Sequence, residues 1–299
     1  MRTQADPQVE GAGEDPGADG VVVEGLRGED ALGEALDHEC GEPTQGRGGD
    51  GAQAYGNEEG VGQAVRDSGV AREDVFLTSK VWVSNMTHDR AAASIDETLK
   101  RLGTDYVDLM LLHQAMGDYP GAYRAMEEAL EAGKVRAIGV SNFYPERLVD
   151  VALLADVVPA VNQVETHPFR QQDAAHEVMA RHGVVHESWA PFAEGQNNIF
   201  ANPVLTAIGE AHGKTAGQVI LRALIQKDVV VIPKTVHRNR MEENVDVLDF
   251  ELSDAEMARF AALDDPSFPP IFDHLDPATA EWLLGEFVKK DQLDGGTLY

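Results

Sequence analysis

Polar residues stand at the ends of apolar runs along most of this chain, and their types are those that move protons and grip small ligands. "VFLTSKVW" reaches Lys80 and Trp82, and "YVDLMLLH" ends at His113. "VRAIGVSNF" carries Ser141 and Asn142 near its end, "PAVNQVE" carries Gln163, "GVVHESWAP" carries Trp189, and "VVVIPK" ends at Lys234. A tyrosine, Tyr55 of "AQAYGNEEG", stands where this pattern begins. An ammonium, an imidazole, a phenol, a hydroxyl and carboxamides together offer proton transfer and hydrogen bonding to a polar ligand. Taken singly, each has a blander reading: a lysine that ends a strand is usually solvated, and a loop tyrosine usually lies on the surface. No His/Asp ligand set stands at these ends, which argues against a metal-dependent hydrolase. The lone cysteine, Cys40, excludes an internal disulfide and a thiolate cluster.

The elements that must position these groups follow from the pattern between them. The apolar runs are rich in Val, Ile and Leu and alternate poorly, as parallel strands covered on both faces do. Amphipathic helices separate them. "HDRAAASIDETLKRLG" puts Ala92, Ile95, Leu99 and Leu102 on one stripe and closes on Gly103. "YRAMEEALEAGKV" closes on Gly133, a further helix starts near Pro145, and "QQDAAHEVMARHG" and "SDAEMARFAALDD" complete the set. Ser253 and Glu256 form the signature of a capping box. This alternation specifies an α/β protein with a parallel sheet and right-handed crossovers. A doubly wound sheet would usually carry G-x-G-x-x-G after its first strand, which is absent here. An eight-stranded (β/α)8 TIM barrel places its site at the carboxyl ends of its strands, where the polar residues stand. Six strands are evident, and the first two, which must come from residues 1–54, are poorly supported.

The chain resembles the aldo-keto reductases, barrel enzymes that reduce carbonyls with NADP(H). The resemblance rests on "DGAQAYGNEEGVG", "FLTSKVW", "DLMLLHQ", "IGVSNF", "NQVETHP", "ESWAPF" and "IPKTVHRNRMEEN", in the family's order from Asp50 to about Asp265. "HQAMGDYPGAYRAMEEAL" and "SWAPFAEG" are similar to the 2,5-diketo-D-gluconate reductase type. The resemblance implies a catalytic group of Tyr55, Asp50, Lys80 and His113. A phenol with an ordinary pKa of about 10 is a sluggish proton donor at neutral pH. Lys80 is expected to pull that pKa down, Asp50 to orient Lys80, and His113 to hydrogen-bond the carbonyl oxygen. Ser141, Asn142 and Gln163 are implied to hold the nicotinamide carboxamide and Trp189 to stack on its ring. Lys234, Thr235 and Arg240 are apt for a 2′-phosphate, which favours NADPH over NADH. Glu243 and Asn244 match adenine-contacting positions, and Trp82 and His113 are implied to line the substrate pocket. His167 and Pro168 read as structural. The segment Pro266 to Phe287 resembles the family's C-terminal loop, with Phe272 placed either against ligand or on the barrel's outside.

The first quarter departs from the family. Residues 1–49 are expected to be an atypical, largely disordered segment, and 50–299 the reductase-type barrel. Val21–Val23 is the one strand-like run before residue 70. Gly46, Gly48 and Gly49 stand where a buried strand needs large apolar side chains. The expectation is that Asp50 hangs from a Gly-rich loop and that Lys80 loses its partner. Correct length with wrong chemistry reads as a stretch out of frame or a misassigned start. A non-catalytic or impaired NADPH-binding barrel of the same family is therefore the alternative function.

Acidic residues outnumber basic ones 52 to 24, a formal charge of −28 that repels nucleic acid and anionic membranes. No apolar run is long enough to span a bilayer, so the expected setting is cytoplasmic. The expected partner is a small carbonyl substrate, and the resemblance implies a monomer.

Overall fold

The computed structural model of the protein describes residues 48–289. The run at Val21–Val23 and the segment through residue 47 lie outside the described residues.

Among the described residues seven parallel strands follow one another in chain order: β1 (Gly48–Asp50), β2 (Phe76–Val81), β3 (Val107–Leu112), β4 (Val135–Ser141), β5 (Val161–Glu165), β6 (Val185–Trp189) and β7 (Val229–Val231). The α-helices described with them are α1 (Glu58–Ser68), α2 (His88–Leu102), α3 (Tyr119–Glu131), α4 (Pro145–Leu154), α5 (Asp173–Arg181), α6 (Pro203–His212), α7 (Ala216–Ile225), α8 (Arg238–Val245), α9 (Asp254–Ala261) and α10 (Pro277–Leu283). The sheet is a curled, TIM-barrel-like α/β architecture. Among the described residues no pairing joins β7 to β1, so the expected eight-stranded closure is seen as seven strands.

The strands read as unbroken apolar runs because both faces are covered. Met110 and Leu112 of β3 pack with the helix layer, alongside Ile95 of α2 and Tyr123 and Met126 of α3. Leu109 and Leu111 point the other way and meet Ala137, Val161, Val185 and Val230 inside the curl. A second core gathers α6 and α7 around Leu205, Ile208, Ile220 and Leu224. Each such side chain contributes roughly 1.5–3 kcal/mol by leaving water.

Local signals end the helices where expected. Gly103 caps α2 with φ +67, a left-handed conformation that favours glycine. Ser253 and Glu256 form a reciprocal capping box at α9. α3 starts four residues before Tyr123, because the Asp118 carboxylate accepts the Gly121 N–H and Pro120 suits a first turn.

The expectation of a loop at Gly48–Asp50 is wrong. Gly48, Gly49 and Asp50 pair in parallel register with Phe76, Leu77 and Thr78 of β2. Strand pairing needs only backbone donors and acceptors. The space beside Gly49 is already filled, since a Cβ there would lie 3.2 Å from Leu77 and 3.4 Å from Val61. Neighbouring side chains thus supply the packing that the glycines lack.

Candidate active site

Asp50 is the last residue of β1, and Lys80 lies near the end of β2, its side chain wholly buried. Lys80 Nζ donates to the Asp50 carboxylate and to the Gly51 carbonyl at 3.2 Å. Burial alone would push the lysine's pKa down. Asp50 overrides that, helped by Tyr55 and Glu187, and holds the ammonium above its ordinary range. Lys80 has not lost its partner, contrary to the expectation drawn from the glycines.

Tyr55 ends the short 3-10 turn Gln53–Tyr55 and is half-exposed, with the Lys80 ammonium 5.3 Å from its ring centroid. Lys80 is the strongest influence on the phenol and lowers its pKa. Burial of the hydroxyl region together with the carboxylates of Asp50 and Glu194 outweighs it, so the pKa lies above its ordinary value. This corrects the expected depression: the carboxylate that holds Lys80 charged also cancels much of the lysine's field at the phenol.

His113 follows β3 directly and is buried, with its ring edge-on to Tyr55 (5.7 Å) and to Trp82 (4.9 Å). Burial first, then Lys80, then His274 hold the imidazole well below its usual pKa, so it is neutral near pH 7. Its Nδ1 has no hydrogen-bond partner among the described residues. Trp82 is set by Gln53, whose Oε1 accepts both the Trp82 N–H (2.9 Å) and Asn85 Nδ2 (2.8 Å).

A second group stands on β4, β5 and β6. Asn142 adopts φ +62. Its Nδ2 donates to the His113 carbonyl and to Ser141 Oγ, both at 3.1 Å, and its Oδ1 accepts the Trp189 indole N–H at 2.9 Å. Ser141 Oγ donates to the Gln163 carbonyl at 3.0 Å. The Gln163 side chain donates to Glu187 at 2.7 Å. Trp189 is thereby fixed at the mouth, partly exposed.

Beyond β6 and β7 a cavity of about 640 Å³ is lined by Lys234, Thr235, Arg240, Glu243 and Asn244 together with Phe192, Glu194 and Gly195. All five residues singled out for the adenosine end of a cofactor therefore share one cavity. Neither Lys234 nor Arg240 makes an ion pair among the described residues, and Asn244 Nδ2 is buried without a partner. Two unpaired cations and an orphaned amide donor fit an anionic, acceptor-rich ligand such as a nucleotide phosphate and base.

The C-terminal segment covers the mouth. Phe287 packs edge-on to Trp82 at 5.3 Å, and Phe272 meets His274 at 4.8 Å. The Ile271 N–H reaches the fully buried Glu165 carboxylate at 3.0 and 3.1 Å, and that carboxylate also bonds His167 at 3.1 Å. His167 is fully buried. Sequence reasoning missed Gln53, Glu187, Glu194 and His274. Glu187 alone left a trace, a carboxylate inside the apolar run "VVHESW".

Residues 46–265 match the Aldo/keto reductase family. The glyoxal reductase of Bacillus subtilis is 44% identical over 215 residues, covering 72% of this chain and 77% of that protein. The morphine 6-dehydrogenase of Pseudomonas putida is 43% identical over 229 residues, covering 72% and 77%. A silkworm (Bombyx mori) aldo-keto reductase solved in complex with NADPH superposes with a TM-score of 0.72 at 33% identity, over 85% of this chain and 80% of its own.

Proposed function

The chain belongs to the aldo/keto reductase family, and from that premise we propose that it reduces small aldehydes and ketones to alcohols with NADPH, Tyr55 giving the proton. The observation that carries the reading is the convergence of Asp50, Lys80, Tyr55 and His113 from three strand ends, next to a cavity holding unpaired Lys234 and Arg240. We assign the reductase unit to residues 50–299.

When bound, the nicotinamide supplies the hydride. The residues of the chain do the rest. His113, held neutral by burial, donates an N–H to the substrate's carbonyl oxygen and orients it. As that oxygen gains negative charge, the Tyr55 hydroxyl gives it a proton. Lys80, kept charged by Asp50, stabilises the phenolate left behind. Trp82, Trp189 and the C-terminal aromatics restrict water at the mouth. Gln163, Ser141 and Asn142 would hold the carboxamide, and Trp189 would stack on the ring. Lys234, Thr235 and Arg240 would grip the 2′-phosphate, and Glu243 and Asn244 would meet the adenine.

The raised pKa of Tyr55 favours a second reading, a barrel that binds NADPH and turns over nothing. The test is NADPH oxidation with a panel of small aldehydes, using the parent chain and Tyr55→Phe. Turnover by the parent that falls by about 10²–10⁴ in the variant is expected. Binding of NADPH without turnover by the parent establishes the second reading.

A further inference from the structure

Glu187 is a buried carboxylate whose support of Lys80 leaves its short hydrogen bond to Gln163 unaccounted for. It sits in the middle of β6, only 3% exposed, directly across the strand pair from Gln163 of β5. Ser141 of β4 is the next cross-strand neighbour in the same level of the sheet. A charged group inside an apolar strand costs several kcal/mol unless it is well partnered. Its presence therefore asks for a task.

The geometry points to Glu187 as a positioning residue for the nicotinamide, acting through Gln163; the inference rests on the proposed function. A carboxamide has one end that donates and one that accepts, and a half-turn exchanges them at little cost. A carboxylate only accepts. Glu187 Oε1, 2.7 Å from Gln163 Nε2, therefore pins the amide so that its NH2 faces β6. Gln163 Oε1 is left as the end free to meet a ligand, and it has no partner among the described residues. Asn142 has both N–H groups engaged by His113 and Ser141, and the Ser141 hydroxyl hydrogen is held by the Gln163 carbonyl. What these three side chains offer is acceptors: Gln163 Oε1 and the remaining lone pairs of Asn142 Oδ1 and Ser141 Oγ. That arrangement selects a ligand group carrying N–H donors, which the nicotinamide carboxamide supplies through its NH2. Glu187 also adds its charge to those that keep Lys80 protonated, so one carboxylate orients the cofactor's grip and supports the ammonium.

The test uses binding, read by tryptophan fluorescence, with two ligands: NADP+ and its 3-acetylpyridine analogue, in which a methyl group replaces the carboxamide NH2. The parent is expected to prefer NADP+ by about 2–10-fold, the worth of one hydrogen bond. Glu187→Gln, nearly isosteric but free to let the amide turn, is expected to lose most of that preference while retaining affinity for both ligands. Gln163→Met leaves Glu187 in place and is expected to lose the preference to the same extent. In that background Glu187→Gln should change nothing further. An undiminished preference in either single variant overturns the role of Glu187. Failure of the parent to bind NADP+ at all overturns the functional reading itself, and the inference with it.

Discussion

The carboxylate of Asp50 and the ammonium of Lys80 meet across the first two strands of the sheet, 30 residues apart in sequence, with the lysine side chain wholly out of water. Removing one partner of such a pair leaves the other charge uncompensated, which costs about 3–5 kcal/mol. Asp50→Asn is therefore expected to lower the melting temperature by roughly 6–20 °C. It should also slow carbonyl reduction, because Lys80 then lacks the group that keeps it charged and aimed. Calorimetry beside steady-state kinetics checks both. A variant as stable as the parent would mean that β1 does not hold Asp50 against Lys80.

The position of Tyr55 between one ammonium and two carboxylates sets a pH profile. As the proposed acid, the phenol must carry its proton, and its pKa lies above the ordinary value of about 10. The protonated form therefore persists through the neutral range. The rate constant kcat for reduction is expected to stay flat from pH 6 to 9 with respect to this group and to fall only above about pH 10. Glu194→Gln removes a charge that raises the pKa, so the fall should start at lower pH. A fall already centred near neutrality in the parent would show instead that Lys80 dominates over Asp50 and Glu194.

Much of this arrangement was legible in the residues, and the exceptions have physical causes. The strands β2 to β7 announce themselves because their side chains are buried on both faces and so must be apolar. Lys80, His113, Ser141, Asn142, Gln163 and Trp189 stand out because a polar residue ending such a run needs a reason. β1 was illegible: its packing comes from Leu77 and Val61, not from its own glycines. The direction of the Tyr55 pKa was illegible too. It is a balance of fields from Lys80, Asp50 and Glu194, whose relative distances exist only in the fold. Glu187 was visible as a charge in a strand, yet its meaning depends on register, since only pairing of β5 with β6 sets it beside Gln163.

Lys234 and Arg240 line the cavity and make no ion pair among the described residues, in a chain of net charge −28. Unpaired cations persist in such a field when a ligand's anion is their partner. A charge-assisted hydrogen bond contributes about 1.5–3 kcal/mol, a factor of roughly 10–150 in affinity. Arg240→Ala is expected to weaken NADPH binding by that factor and to leave NADH binding within about twofold, because only the former carries a 2′-phosphate. Titration followed by nucleotide fluorescence gives both constants. Equal losses for the two nucleotides would move Arg240 away from the 2′-phosphate.

His274 ties the C-terminal segment to the mouth, between Phe272, Tyr144 and Trp189. Burial is the main cause that brings its pKa down to about 4, while Glu165 and Asp273 push it up and Arg170 pushes it down. The ordinary value is about 6.5, so the opened segment binds more protons than the docked one between those two pH values. Docking is then fully favoured above about pH 6.5, weakens as pH falls, and loses nothing further from this group below about pH 4. The full loss is on the order of 3 kcal/mol. Hydrogen exchange of residues 266–289 is therefore expected to quicken between pH 6.5 and pH 4 beyond the intrinsic chemical rate, while exchange in β3 stays protected. His274→Phe keeps the ring packing and removes the titration, so it should abolish that extra opening. The same pH dependence in the variant would overturn the assignment of the effect to His274.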